Sequence, residues 1–170
     1  MKKRIGPFMI VAYFGFFILV VLAMGFYWHQ YRKPPTQPIK FPHYIHAGKL
    51  GLACTYCHQY VEQSPNAGIP SVQLCMDCHK NAVTDRPEIQ KLTQYWEKGK
   101  PIPWIKVHHL PDYVYFTHKR HIKAGIECSQ CHGPIQTYAG MRRVHSLKMG
   151  WCVTCHKQNM APTDCTICHQ

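Results

Sequence analysis

All ten cysteines of this 170-residue chain fall into one repeated spacing, C-x-x-C-H. The five copies are Cys54, Cys57 and His58; Cys75, Cys78 and His79; Cys128, Cys131 and His132; Cys152, Cys155 and His156; and Cys165, Cys168 and His169. On a helical turn, residues i, i+3 and i+4 share a face, so each copy sets two thiols and an imidazole side by side. Two thiols so placed form thioethers to the two vinyl groups of a porphyrin, and the His meets its iron from below. This is the spacing of c-type haem attachment. A disulfide framework pairs cysteines but has no need of a His after each second one. Zinc ribbons use paired C-x-x-C, again without that His. Composition alone predicts about 0.04 such motifs by chance. The sequence therefore predicts five covalent haem c groups, with the ten cysteines as attachment residues and the five histidines as proximal iron ligands.

The composition agrees with a cofactor-filled interior. Aliphatic residues are sparse beyond the N-terminus, and a polypeptide core looks thin for this length. The formal net charge is +12, a balance often met in proteins that bind nucleic acid or anionic membranes. Nucleic acid is not the expected partner, because ten haem propionates would offset much of that charge. Arg142 and Arg143 are candidates to pair with propionates through charge-assisted hydrogen bonds. The remainder suits anionic lipid or an acidic partner.

Lys2, Lys3 and Arg4 precede a segment, residues 5–28, that carries no charged residue. A stretch of that length spans a bilayer as a helix. Phe26, Tyr27, Trp28 and Tyr31 form an aromatic belt at its far end. A cleaved signal peptide is the competing reading. The length of the apolar run, its bulky aromatic end and the lack of a clear A-x-A site favour an uncleaved anchor. The basic flank places the N-terminus in the cytoplasm, with Arg32 and Lys33 on the opposite flank acting against that bias. The haem domain is then expected on the periplasmic face of the inner membrane, as a single-pass protein. Pro34, Pro35 and Pro38 favour an extended spacer after the anchor.

The chain also repeats itself. Phe41, His43 and His46 precede the first haem motif, and Phe116, His118 and His121 precede the third, at an offset of 75 residues. Both copies read F-x-H-x-x-H. Two His at i and i+3 share a helical face and are expected to ligate two different irons. Between the copies, residues 85–98 read as one helix, capped by Asp85, with Pro87 in its first turn and Gly99 as its stop. Ile89, Leu92 and Trp96 form its apolar stripe. Pro101 and Pro103 then exclude regular structure, and residues 113–116 read as a short β-like run. The expected organisation is an anchor over residues 1–32, a dihaem module over 33–80, a connector helix and Pro-rich linker over 81–115, and a trihaem module over 116–170.

Residues 116–169 resemble the trihaem cytochrome c7 and cytochrome c3 group, and the first half resembles a shortened dihaem copy. Over nearly the whole chain the sequence is similar to the pentahaem cytochrome c subunit of bacterial alternative complex III. The stretches that carry this likeness are Phe41 to His46, Cys75 to His79, Val107 to Phe116 with its Leu110-Pro111-Asp112, and Leu147 to Cys152 with its Met149-Gly150-Trp151. The resemblance implies a multihaem cytochrome c with an N-terminal transmembrane helix and a mostly coil ectodomain, its short α-helices packed around five haems. By the c7 pattern His43 pairs with His58, His46 with His79, His118 with His132, and His121 with His156. The sixth ligand of the haem at His169 is left between Met149, to which the complex III likeness points, His145, to which the c7 pattern points, and His108. A Met ligand raises the potential above that of a bis-His haem. His29 and His109 are not expected to ligate.

The implied function is electron transfer within a quinol-oxidising respiratory or photosynthetic complex. Other membrane-embedded subunits and lipid surround the chain, an iron–sulfur subunit is the donor, and a monohaem cytochrome c or copper protein is the acceptor. No substrate chemistry of its own is expected. The alternative is a stand-alone membrane-anchored quinol dehydrogenase feeding periplasmic reductases. A multihaem enzyme such as a nitrite reductase needs an iron with an open position, often with Lys in place of the motif His. Here all five motifs end in His.

Overall fold

Residues 5–169 are described by the structure, a computed structural model; the basic flank of Lys2, Lys3 and Arg4 lies outside them. The first helix, α1, runs over Ile5–Arg32. Within it, Phe8–Gln30 is long and apolar enough to cross a membrane. The chain divides into two units, Met1–Lys33 and Pro34–Gln170.

The second unit is built from seven further short helices: α2 Cys54–Cys57, α3 Val72–His79, α4 Pro87–Glu97, α5 His118–Lys123, α6 Cys128–His132, α7 Met149–Gln158 and α8 Cys165–Cys168. A π-helical turn at Tyr44–Lys49 and a 3₁₀ turn at Ile135–Thr137 complete the set. Every haem motif lies on one of these helices or at its end. Ser71 caps α3 by accepting from the Leu74 N–H, which satisfies one of the orphan donors of a helix start.

Helix α4 departs from expectation in two ways. Its N-cap is Arg86, with Pro87 as the first helical residue, and Asp85 is not the cap. Pro87 fixes φ and needs no N–H partner, so it sets the start by itself. Its apolar face is Ile89, Leu92 and Tyr95, which pack against α3 and the Pro-rich segments; Trp96 is 39% exposed. Position 95 lies three residues after Leu92 and position 96 four, and the packing selects the 95 side. Gly99 ends the helix at φ +60, a conformation that favours glycine.

The core here is small. Ile39, Met76, Leu92 and Ile102 form the buried cluster, with Val72, Cys75 and Trp104 packed on it. Ile102 is held between Pro101 and Pro103. The spacer after the anchor is docked from Gln37 onward: Gln37 Nε2 donates to the Ile105 carbonyl at 2.9 Å, and the Ile105 N–H donates to Gln37 Oε1 at 2.8 Å. A primary amide thus imitates one rung of a strand ladder.

The β-like run at 113–116 makes a single antiparallel bridge, Val114 with His169. The Tyr115 N–H donates to the Cys168 carbonyl at 2.8 Å, so the last motif is tied to the segment that enters α5. The two repeats are also bonded to each other. Tyr44 N–H donates to the Tyr138 carbonyl at 3.0 Å, and His118 N–H to the Pro65 carbonyl at 3.1 Å. The π turn packs on the 3₁₀ turn so closely that a Cβ on Gly48 would meet the Gln136 carbonyl oxygen.

Candidate haem centres

In each motif the second cysteine and the His follow the first within one helical turn. The His58 N–H donates to the Cys54 carbonyl at 2.9 Å, and the His169 N–H to the Cys165 carbonyl at 2.9 Å. None of the ten cysteines is paired in a disulfide, which leaves all ten for thioether bonds. Among the described residues, no three His, Cys, Asp or Glu side chains converge as a metal cluster.

The histidines share a hydrogen-bond habit that sequence alone does not show. His58 Nδ1 donates to the Gly68 carbonyl at 2.7 Å, His79 to Ala82 at 3.2 Å, His156 to Pro162 at 2.6 Å and His169 to Tyr113 at 3.2 Å. His46 donates to Pro42 at 3.1 Å, His118 to Pro65 at 2.8 Å and His121 to Thr117 at 2.8 Å. A carbonyl oxygen only accepts, so the proton sits on Nδ1 and Nε2 keeps its lone pair. Such an arrangement is typical of metal-ligating His, whose remote N–H is fixed by an outer partner. Three of the seven acceptors are proline carbonyls, a signal too weak to read from sequence.

Ring pairing follows the repeat. His46 and His79 have centroids 6.1 Å apart, His118 and His132 6.3 Å, and His121 and His156 6.0 Å. Imidazole nitrogens bind first-row metals at about 2 Å, so one iron between two imidazoles sets the ring centres roughly 6 Å apart. The residues therefore fit haem c: thiol pairs on helical turns, imidazoles with free Nε2, and facing rings at single-iron separation. An open cleft of about 450 Å³ beside His79, lined in part by Met76, Lys80 and Thr93, gives room on that side.

The phenylalanine of each repeat holds the two histidines apart. Phe41 meets His43 edge-on at 4.9 Å and stacks on His46 at 4.3 Å; Phe116 meets His118 at 4.8 Å and His121 at 4.5 Å. One ring wedged between two imidazoles directs them to different neighbours. The first pair sits at the start of a π turn and the second on α5, so the shared wedge survives a change in helix type.

His43 and His132 complete the set but lack the carbonyl partner, their Nδ1 atoms being buried without a hydrogen bond. Burial lowers His43 to about 4, aided by the nearby His58 and His46. Burial also lowers His132 to about 4, aided by His108, His118 and His58. Both are neutral at physiological pH, the form that binds metal. Of the remaining candidates, Met149 opens α7 with its side chain 67% exposed. His145 stacks on Trp151 at 4.9 Å. His108 packs edge-on against His132 at 4.5 Å.

Thiols of different motifs are neighbours. Burial raises the Cys75 thiol, and the neighbouring Cys57 adds to the effect. Burial likewise raises Cys128, which lies beside Cys54, Cys131, beside Cys155 and Cys152, and Cys152, beside Cys168. Arg142 lies over the Tyr138 ring at 4.7 Å.

Comparison with known proteins agrees with this chemistry. Residues 114–170 match the family of cytochrome c7 and related cytochrome c, and residues 28–103 match the class III cytochrome C family. The multihaem cytochrome c subunit of the menaquinone reductase of Nitratidesulfovibrio vulgaris is 34% identical over 122 residues, which is 69% of this chain and 57% of that relative. The chain thus spans under two thirds of the relative's length. The chain has the multihaem cytochrome c fold, and its similarity to these cytochrome c families implies covalently bound haem c.

Proposed function

We propose that this chain is a membrane-anchored pentahaem cytochrome c that transfers electrons within a quinol-oxidising membrane complex of the alternative complex III type. The observation that carries the reading is the three facing imidazole pairs at single-iron separation, His46 with His79, His118 with His132 and His121 with His156. Haem c, when bound, supplies a one-electron iron couple. The chain's own part is to attach five such groups side by side. His58, His79, His132, His156 and His169 are assigned as proximal ligands, and His43, His46, His118 and His121 as distal ones.

Met149 is assigned as the distal ligand of the haem at His169. Its side chain is exposed at the start of α7, and the likeness of the Leu147 to Cys152 stretch to the complex III subunit points to it, whereas the c7 pattern points to His145. His108 has its Nε2 sealed against protein, the wrong exposure for a nitrogen that must face a porphyrin. The quinone-linked part of the reading is supported by the relative, which by its name is a subunit of a menaquinone reductase. The anchor is assigned to α1, with the N-terminus cytoplasmic and the haem domain periplasmic, on the strength of Lys2, Lys3 and Arg4.

The test is purification from detergent-solubilised membranes, with haem counted by pyridine haemochrome. Five haems per chain and co-purifying membrane and iron–sulfur subunits are expected. A chain that travels alone and oxidises quinol by itself supports the stand-alone quinol dehydrogenase instead. A high-spin haem that binds added ligands in the wild-type protein opposes the purely electron-transferring role.

A further inference from the structure

The two F-x-H-x-x-H copies are alike in their histidines and unlike in what faces away from them. At the offset of 75, Tyr44, Ile45 and Gly48 of the first copy correspond to Lys119, Arg120 and Lys123 of the second. In the first copy the chain itself covers these positions. Tyr44 N–H donates to the Tyr138 carbonyl at 3.0 Å, and Gly48 lies against the Gln136 carbonyl oxygen. In the second copy they lie on α5, where 119, 120 and 123 share a face at i, i+1 and i+4, opposite His118, His121 and Ile122. All three cations are exposed. Among the described residues none of the three is ion-paired. Residues 116–170 hold two acids, Glu127 and Asp164. Glu127 stands four positions after Lys123 but accepts from the Ser129 hydroxyl at 3.3 Å.

We propose that the exposed face of α5 formed by Lys119, Arg120 and Lys123 is the docking surface for an acidic redox protein. The proposal deepens the electron-transfer reading and rests on it. Three cations that no carboxylate screens attract an acidic surface over roughly 8 Å at physiological salt, and complementary charge of this kind sets encounter rate and orientation. The same short helix carries His118 and His121, assigned to two different irons. A partner seated on one side of α5 stands one helix diameter, about 10 Å, from the imidazoles on the other. On docking, one electron passes to the partner. Its metal centre is reduced by one and one haem iron is oxidised by one, with no bond made or broken. A lipid surface is the poorer occupant. Membrane-seated helices add large apolar side chains to their cations, and between Phe116 and Ala124 none is exposed. The base for docking is firm, since His118 N–H donates to the Pro65 carbonyl at 3.1 Å and Lys119 N–H to the Ser64 carbonyl at 3.3 Å.

The experiment uses the full-length holoprotein in detergent, reduced and mixed by stopped flow with an oxidised acidic blue-copper protein over a range of salt. The rate should fall as salt rises. Lys119→Glu, Arg120→Glu and Lys123→Glu together should lower the low-salt rate by at least about tenfold, the lower end of electrostatic steering, and flatten its salt dependence. Lys98→Glu, Lys100→Glu and Lys106→Glu make the same change in net charge at other exposed positions and should slow it much less. If the two triple variants lose equally, net charge alone steers the encounter and α5 is no docking face. Redox titration of the α5 variant should return the wild-type potentials. A shifted haem potential with the salt dependence kept means that the cations serve haem propionates, and overturns the proposal. Loss of binding to vesicles rich in anionic phospholipid, with the copper-protein rate unchanged, does the same. Lys119→Gln, Arg120→Gln and Lys123→Gln replace the Glu variants if those lose haem. A wild-type chain that reduces ferricyanide but shows no salt-dependent rate with the copper protein overturns the docking face alone. One that reduces neither counts against electron transfer itself.

Discussion

His118 and His132 face each other with rings 9° from parallel and centroids 6.3 Å apart. One opens α5 and the other ends α6, so two helices joined by a short turn bring their imidazoles to the separation that one six-coordinate iron demands. His118 is held there by its Nδ1–H bond to Pro65, 53 positions earlier in the chain. The first half of the molecule thus positions an imidazole of the second.

The first prediction follows from that pair. His118→Ala should leave the haem count unchanged, because the thioethers remain. One haem should turn from low-spin to high-spin and bind carbon monoxide when reduced. Absorption and EPR spectra read both effects. An unchanged low-spin spectrum counts against His118 as a ligand.

The sequence made the covalent chemistry legible because C-x-x-C-H is a local code: one helical turn contains the whole attachment site. The F-x-H-x-x-H repeat was legible for the same reason. What stayed hidden was long-range. The carbonyl acceptors at Pro65 and Tyr113 come from 53 and 56 positions away, and no local pattern announces them. The docking of Gln37 on Ile105 was equally out of reach, since a proline-rich spacer and a pinned loop share one composition. Asp85 was misread as a helix cap because Pro87 alone suffices to start α4.

Gly133 carries a second prediction. It is buried at φ 72, ψ −169, a region for glycine, and a Cβ there would also meet the Tyr138 hydroxyl. Gly133→Ala should destabilise the holoprotein by about 1–3 kcal/mol, read as a lowered thermal midpoint. Gly51→Ala provides the comparison, since it has φ 66 but open space around it. If both variants lose the same amount, backbone strain alone is at work and the Tyr138 contact adds nothing.

Glu88 gives a pH-dependent prediction. It accepts from the Lys91 ammonium at 2.8 Å and from the Lys40 N–H at 2.7 Å. These bonds hold its carboxyl below the usual range, the Lys91 bond most. A lowered folded value means that the stabilisation is full above the unfolded value, about 4.3, and is lost as pH falls through the lower folded one. Glu88→Gln should cost about 0.5–1 kcal/mol near neutral pH, the scale of a partly exposed ionic contact. Denaturant titrations of both proteins should converge at acid pH. A gap that persists there would point to packing instead of charge.

The anchor assignment predicts a separable haem domain. Replacing residues 1–33 with a cleavable secretion signal should release a water-soluble protein whose haem count and potentials match the full-length chain. The boundary at Lys33 and Pro34 and the docking of Gln37 support a cut at that point. Loss of haem from the secreted form would mean that α1 is needed for the fold as well as for attachment to the membrane.

The last prediction concerns the haem at His169. The His169 imidazole, assigned as its proximal ligand, is tied down by the Tyr113 carbonyl at 3.2 Å and packs against the Tyr113 ring at 5.7 Å. Met149 and His145 are the rivals for the opposite face. The thioether of Met149 lies at the exposed start of α7, three positions before Cys152, and Cys152 lies beside Cys168 of the last motif. A side chain there is well placed to meet a porphyrin bound at Cys165 and Cys168. His145 stacks on Trp151 at 4.9 Å, and the c7 pattern makes it the alternative ligand. Met149→Ala should therefore remove one high-potential component from the redox titration and make one haem high-spin, with five haems still attached. Met149→His should keep that haem low-spin but lower its potential, because imidazole replaces thioether. His145→Ala should change neither. If the His145 variant is the one that loses a low-spin haem, the c7-like pairing holds and Met149 is only a packing residue against the porphyrin.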